Sequence, residues 1–256
     1  MTEQAYQCPR DFTVLGAVGV NAFGLEALVD TLYALPRTPV AATLTLVGLP
    51  CAIWVREHPA EAHIYNESTI AQIDGMPAAK MARRRGLNCG HFSGMDIMDA
   101  TIRRGVAAGS RHFFYGGRDT AQLRQLKAQF LSRYPAAQIV GMHSPPFRPL
   151  TDAEEAALRQ DVLACQPDFI WVGIGAPKQD YWLHDHRAAL PGCVMLGVGA
   201  AFNFLTGDEP KAPAWMADHY LEWLFRLLRS PRRLWRRYVL GGFKVLYYSA
   251  KDRLGR

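Results

Sequence analysis

The strongest constraint on this chain is a repeated punctuation: short apolar runs that end in glycine, each followed by a segment patterned as a helix. RHFFYGG (111 to 117), QIVGM (138 to 142), DFIWVGIG (168 to 175) and CVMLGVG (193 to 199) are continuous rather than alternating in hydrophobicity, the pattern of strands buried on both faces. Between them lie a helical segment over about Thr120 to Arg133, a second that opens on Thr151 with Glu154 three residues on and runs to about Cys165, and a third in YWLHDHRAAL. Thr151 and Glu154 have the spacing of a capping box, in which each side chain satisfies a backbone N–H at the helix start. Strand and helix in alternation predict an α/β fold: a Rossmann-like, mostly parallel sheet with helices on both faces.

In such sheets a ligand lies over the carboxyl ends of the strands. The loops that fall there are Gly116-Gly117, Gly173 to Gln179 and Gly197 to Asn203. None has the spacing of a GxGxxG or Walker A loop, so plain strand-to-helix turns fit them as well as a ligand cradle does. GIGAPKQDYW (173 to 182) sets Gly175, Pro177, Lys178 and Gln179 at a helix start, where backbone N–H groups, a cation and an amide suit a phosphate or a sugar hydroxyl; an exposed loop is the alternative. IDGMP (73 to 77) puts Asp74 at the end of an apolar run and before a helix-like PAAKMARRRG. It is placed either to cap that helix or, from a cleft, to accept a proton as a general base.

The chain contains no Asp-x-Asp pair, the simplest carboxylate arrangement for holding Mg²⁺ against a diphosphate. His184 and His186 are two apart on a predicted helix and do not share a face. A diphosphate handled here would need arginines.

Arginines are concentrated at one end. The net charge of +6 resides in the tail, where ten Lys and Arg from Leu221 onward face only Glu222 and Asp252, while residues 1 to 220 carry 19 basic and 21 acidic groups. A localised anionic partner fits this better than nucleic acid, which favours a uniformly basic face. Leu221, Leu224, Phe225 and Leu228 make one helical stripe, and Ser230-Pro231 reads as the start of a second helix. On that second helix Arg232, Arg233, Arg236, Arg237 and Lys244 fall within an arc of about 140° at 100° per residue, with Leu234, Trp235, Tyr238, Val239, Val245 and Leu246 opposite. The composition suits an interfacial helix on anionic lipid, or a C-terminal helix docked on the core with its arginines in water. No apolar run reaches the roughly 18 residues that a spanning helix needs. Five scattered cysteines without a CxxC pair fit reduced thiols in a cytoplasmic protein.

Together DGMP (74 to 77), FSGMD (92 to 96), FFYGGRD (113 to 119), YPAAQIVGMHSPPF (134 to 147), PDFIWVGIGAPKQDYW (167 to 182), GVGAAFNFLTG (197 to 207), KAPAWM (211 to 216) and LEWLFRLLRSPRRLWRRY (221 to 238) resemble, in order and spacing, the WecG/TagA/CpsF glycosyltransferases. The likeness runs from about residue 45 to 240, with a weaker opening at GVNAFGLEALVD. It implies a Rossmann-like catalytic domain over residues 1–207 and a helical membrane-associating appendage over 208–256. It also implies inverting, metal-independent transfer of a sugar from a UDP-sugar to a polyprenyl-diphosphate-linked saccharide, in exopolysaccharide or cell-surface glycan synthesis. The expected location is the inner face of the cytoplasmic membrane, with no cofactor; a homo-oligomer is compatible with it.

By position, the resemblance makes Asp74 the general base and Gln179 the active-site amide, and it assigns Arg226, Arg233 and Arg236 to the donor diphosphate. His91 and Asn203 join Gly175, Pro177 and Lys178 as substrate-binding positions. The chain departs from the family pattern at several of these points. Leu46 and Gly48 occupy a Thr-x-Asn motif, His91 an arginine, Asp180 a glutamate, Asn203 an aspartate and Lys211 an arginine. The departures leave a second reading, a membrane-associated interaction protein of the same fold that has diverged from catalysis.

Overall fold

The computed structural model of the chain describes residues 6–90, 92–210, 212–213, 215–216, 221–235 and 239–254, with the side chains of all of these except Glu222, Arg233, Arg253 and Leu254. A small antiparallel hairpin, β1 (Phe12–Val14) and β2 (Val18–Val20), precedes the main sheet. The six main strands are β3 (Ala42–Val47), β4 (Ile70–Ile73), β5 (Arg111–Gly116), β6 (Gln138–His143), β7 (Phe169–Gly173) and β8 (Val194–Gly197). They lie in the order β4-β3-β8-β7-β5-β6, and every neighbouring pair is parallel. The expected mostly parallel sheet is therefore present.

Burial on both faces explains the unbroken apolar runs. Successive residues of β5 point to opposite sides: Phe113 and Tyr115 join one core cluster, Phe114 the other. Helices α1 (Leu25–Ala34), α5 (Gly94–Ala108), α6 (Thr120–Arg133) and α9 (Ala201–Thr206) cover the Phe114 face, supplying Leu28, Ile97, Leu126 and Phe202 to its core. Helices α7 (Asp152–Cys165) and α8 (Lys178–His186) cover the Phe113 face. Beside them α2 (Leu49–Glu57) and α3 (Ala62–Asn66) close the β3 and β4 end of the same face. Trp171, Phe113, Phe114 and Phe169 are fully buried, each worth about 1.5–3 kcal/mol relative to exposure. Helix α7 starts with the expected capping box of Thr151 and Glu154.

At the outer edge of β4 the segment after β2 continues the sheet. Asn21 bridges Gln72 in parallel fashion, its backbone N–H donates to Ala71 O, and Ile73 N–H donates to Asn21 O. Helix α4 (Met76–Arg83) then leaves the carboxyl end of β4.

In the tail, part of the second helix expected after Ser230, residues 236–238, lies outside the described residues. Described there are α10 (Glu222–Arg229), a short α11 (Pro231–Trp235) and α12 (Gly241–Leu254). Helix α12 docks on α2 of its own core. Arg56 makes a two-pronged contact with Asp252 (2.6 and 3.1 Å), its guanidinium lies 5.0 Å from the Tyr248 ring centroid, and Lys244 pairs with Glu57 at 2.6 Å. Val245 and Tyr248 pack into the cluster beneath. Lys244, expected among the tail arginines, is thus turned toward the protein, and Leu246, expected with Val245, is 68% exposed.

Candidate active site at the carboxyl edge

The connections that matter leave the carboxyl ends of neighbouring strands: Gly48 after β3, Asp74 after β4, the 198–200 turn after β8, the 174–177 turn after β7 and Gly117 after β5. Asp74 N–H donates to Val47 O at 3.0 Å, which fixes the aspartate beside the end of β3. The residue that caps α4 is Gly75, with φ +81°. Asp74 therefore stands one residue before the cap position and half-buried at the sheet edge. Gly48 is its close neighbour: a Cβ on Gly48 would lie 3.3 Å from Asp74 O and 4.0 Å from its Oδ2. In this chain no side chain from position 48 stands beside the carboxylate.

Lys178 and Pro177 are exposed and Gly175 is partly so, at the rim of the β7–α8 turn. Gln179 is not at the rim. It is only 2% exposed, and its Oε1 accepts the Gly199 N–H at 2.9 Å. Its amide crosses the end of β8, where a Cβ on Gly197 would come within 2.9 Å of Nε2. The amide expected to meet substrate is therefore spent, at least at its oxygen, on holding the 197–199 turn.

Next to it Asp180 is 1% exposed. Its Oδ2 accepts from the Tyr65 hydroxyl at 3.0 Å, while Oδ1 has no hydrogen-bond partner. Burial pushes its carboxyl up to about 7, against the opposing pull of the Tyr65 hydroxyl and the nearby Gln179 side chain.

Asn203 sits in a polar clasp that the sequence did not reveal. Gln122 Nε2 donates to Asn203 Oδ1 (2.8 Å) and Asp208 Oδ2 (2.7 Å), and Gln122 Oε1 accepts the Arg118 N–H at 2.6 Å. Arg118 Nη1 in turn donates to Asp208 Oδ1 at 2.7 Å. Hydrogen bonding from Thr206, then Arg118 and Gln122, holds the Asp208 carboxyl below its ordinary value. This clasp ties the turn after β5 to α9; FYGGRD shows its β-turn in sequence, but the partner helix 80 or more residues away leaves no local signal.

The appendage reaches the same edge. Arg226 of α10 places its guanidinium carbon 4.9 Å from the Phe204 ring centroid on α9. A cavity of about 540 Å³ lies between Glu209 and the Ser230, Pro231 and Arg232 elbow. His91, Lys211 and Arg236 lie outside the described residues, as does the side chain of Arg233. His184 and His186 turn to different partners, Glu67 and Glu155.

A parallel sheet covered on both faces, with glycine turns and a half-buried aspartate at its carboxyl edge, defines an α/β protein of the kind that holds its ligand at that edge. The chain belongs to the WecG/TagA/CpsF family of glycosyl transferases, whose model matches residues 12–256. Among characterised proteins it is 30% identical, over 150 residues, to the N-acetylglucosaminyldiphosphoundecaprenol N-acetyl-beta-D-mannosaminyltransferase of Bacillus spizizenii. That alignment covers 57% of this chain and 54% of the relative, so the chain aligns with about half the length of the curated relative.

Proposed function

We propose that the chain transfers a sugar from a UDP-sugar to a polyprenyl-diphosphate-linked saccharide, with inversion and without a metal, in the synthesis of an exopolysaccharide or cell-surface glycan. The observation that supports this reading is that Asp74 follows β4 at the carboxyl edge of the sheet while Arg226 of the appendage packs over Phe204 of α9, the helix that follows β8. Asp74 removes the proton of the acceptor hydroxyl as that oxygen attacks the anomeric carbon. A single displacement inverts the anomeric centre, and UDP departs on the opposite side. Arg226, with Arg233 and Arg236 of the same segment, takes the charge that grows on the leaving diphosphate. Gly175, Pro177, Lys178 and Asn203 are further substrate-binding positions, as is His91, which lies outside the described residues. The relative's name supports a lipid-linked N-acetylglucosamine as the first acceptor to try.

The lipid-linked acceptor calls for a membrane surface. Among the described residues no helix is long and apolar enough to cross a membrane. Helix α12 instead carries Phe243, Leu246 and Tyr247 outward, each more than 60% exposed, a ridge suited to shallow insertion beside basic residues that attract anionic lipid.

The test is a transfer assay: a panel of UDP-sugars, a short polyprenyl-diphosphate N-acetylglucosamine acceptor, and parallel reactions with and without EDTA. Transfer with an inverted anomeric centre, unaffected by chelation, is expected. Lipid binding without turnover across the panel would instead favour the diverged interaction protein.

A further inference from the structure

Asp180 is a buried carboxyl that the proposed chemistry does not use. It lies in the first turn of α8, one residue after Gln179, and its surroundings come from three separate elements. Tyr65 of α3 donates to its Oδ2 at 3.0 Å. Cys51, in the first turn of α2, contacts the Tyr65 hydroxyl and approaches Leu46 O at 3.8 Å. Tyr65 and Asp180 are each 1% exposed. The small polar cluster therefore ties the helix that follows Gly48 to the helix that carries Gln179, directly beneath the edge where the transfer is placed.

We propose that Asp180 is a positioning residue of this site: its hydrogen bond with Tyr65 seats the first turn of α8, and that seating holds the Gln179 amide against the Gly199 N–H. The inference rests on the proposed function only in that the 197–203 turn borders the site of transfer. Three observations support it. Gln179 and Asp180 are adjacent in one helical turn, so they move together. Gly197 has no Cβ, which leaves room for the Gln179 amide and for little else. One oxygen of Asp180 has no partner, so the arrangement suits a neutral carboxyl and penalises an ionised one.

The titratable groups facing Asp180 are Tyr65 from α3, Cys51 from α2 and, on its own helix, Tyr181, itself beside Glu61. Among the described residues no lysine or arginine pairs with it. An anion formed there gains no counter-ion and is relieved by moving toward water, which unseats the turn.

Hydrogen exchange of the full chain, followed over the peptide spanning 197–203 and corrected for intrinsic rates, tests this without turnover. Protection in the parent should fall several-fold between pH 6 and pH 8.5. In Asp180→Asn, neutral at every pH, it should stay constant, and in Tyr65→Phe it should be reduced at both pH values. Cys51→Ser should respond to pH as the parent does, which separates the thiol from the carboxyl. Equal pH responses in the parent and Asp180→Asn would overturn the proposal. If Asp180→Asn fails to fold, a parent profile flat from pH 6 to 8.5, or Tyr65→Phe with full protection, overturns it as well. Should the exchange behave as expected while no UDP-sugar is turned over, the positioning role stands and the proposed function falls.

Discussion

Arg226 on α10 stacks over Phe204 on α9 with 4.9 Å between guanidinium carbon and ring centroid, so a cation from the appendage is held by a half-buried aromatic on the helix that follows β8. Arg226→Ala should lower kcat/KM by about 10²-fold, the usual loss for one donor to a developing anion. Arg226→Lys keeps the charge without the planar fork and should recover only part of it. Phe204→Leu should weaken donor binding with a smaller loss in kcat. Steady-state kinetics with the best UDP-sugar separate the three.

Asp74→Asn removes the proposed base while keeping its shape. Turnover should drop by roughly 10²- to 10⁴-fold, with UDP affinity by calorimetry unchanged. Full activity in this variant would remove Asp74 from the mechanism.

The outward ridge of α12 predicts the lipid response. Replacing Phe243 and Leu246 together with serine should weaken partition onto anionic vesicles by more than about tenfold, since each buried side chain contributes about 1.5 kcal/mol or more. Cosedimentation measures it, and the circular dichroism spectrum should be unaltered because neither side chain packs inward.

The other side of α12 predicts an intramolecular effect. Arg56 and Asp252 are 20% and 36% exposed and meet through two contacts. A double-mutant cycle, Arg56→Ala with Asp252→Ala, should yield a coupling of about 1 kcal/mol, at the upper end for a partly exposed pair. Exchange protection in 241–254 should fall in each variant and in the parent at high salt.

Two buried groups give opposite pH dependences of stability. Burial lowers His112 to about 4 from an ordinary value of 6.5. Its neutral ring accepts the Trp171 indole N–H at 3.2 Å. The unfolded chain takes up that proton first, so stability is lost as pH falls from about 6.5 toward 4, on the order of 3 kcal/mol in full. Asp180, raised from 3.8 to about 7, acts in reverse: the folded state keeps its proton longer, and stability is lost as pH rises from about 4 to about 7. Denaturant melts at pH 4.5 and 7.5 should show His112→Asn gaining on the parent at the lower pH and Asp180→Asn gaining at the higher one.

The sheet was readable from sequence because each of its strands from β5 onward is a closed apolar run stopped by glycine or turn residues, and α7 carries a local capping box. The place of Asp74 was readable because an apolar run stops there, just before a helix-like segment, which is where β4 ends and α4 begins. Gln179 was read at a helix start, where it lies, but its burial was not legible, because it depends on the missing side chain at Gly197, eighteen residues away, which spacing cannot report. The same holds for the Gln122, Asn203 and Asp208 clasp and for Arg56 with Asp252, 196 residues apart. Each joins elements that only the tertiary fold brings together. The β1–β2 hairpin, with three residues to a strand, is too short to carry a periodic signal.

The order of the strands also bears on the chain's synthesis. Strand β3 lies between β4 and β8, so one of its edges has no partner until residue 197 has been translated, about 150 residues after β3 itself is complete. Through that interval a nascent chain exposes an apolar, unpaired strand edge, the feature most open to mispairing with neighbouring chains. Production of this protein should therefore respond more to slower translation and chaperone supply than the stability of its finished core would suggest.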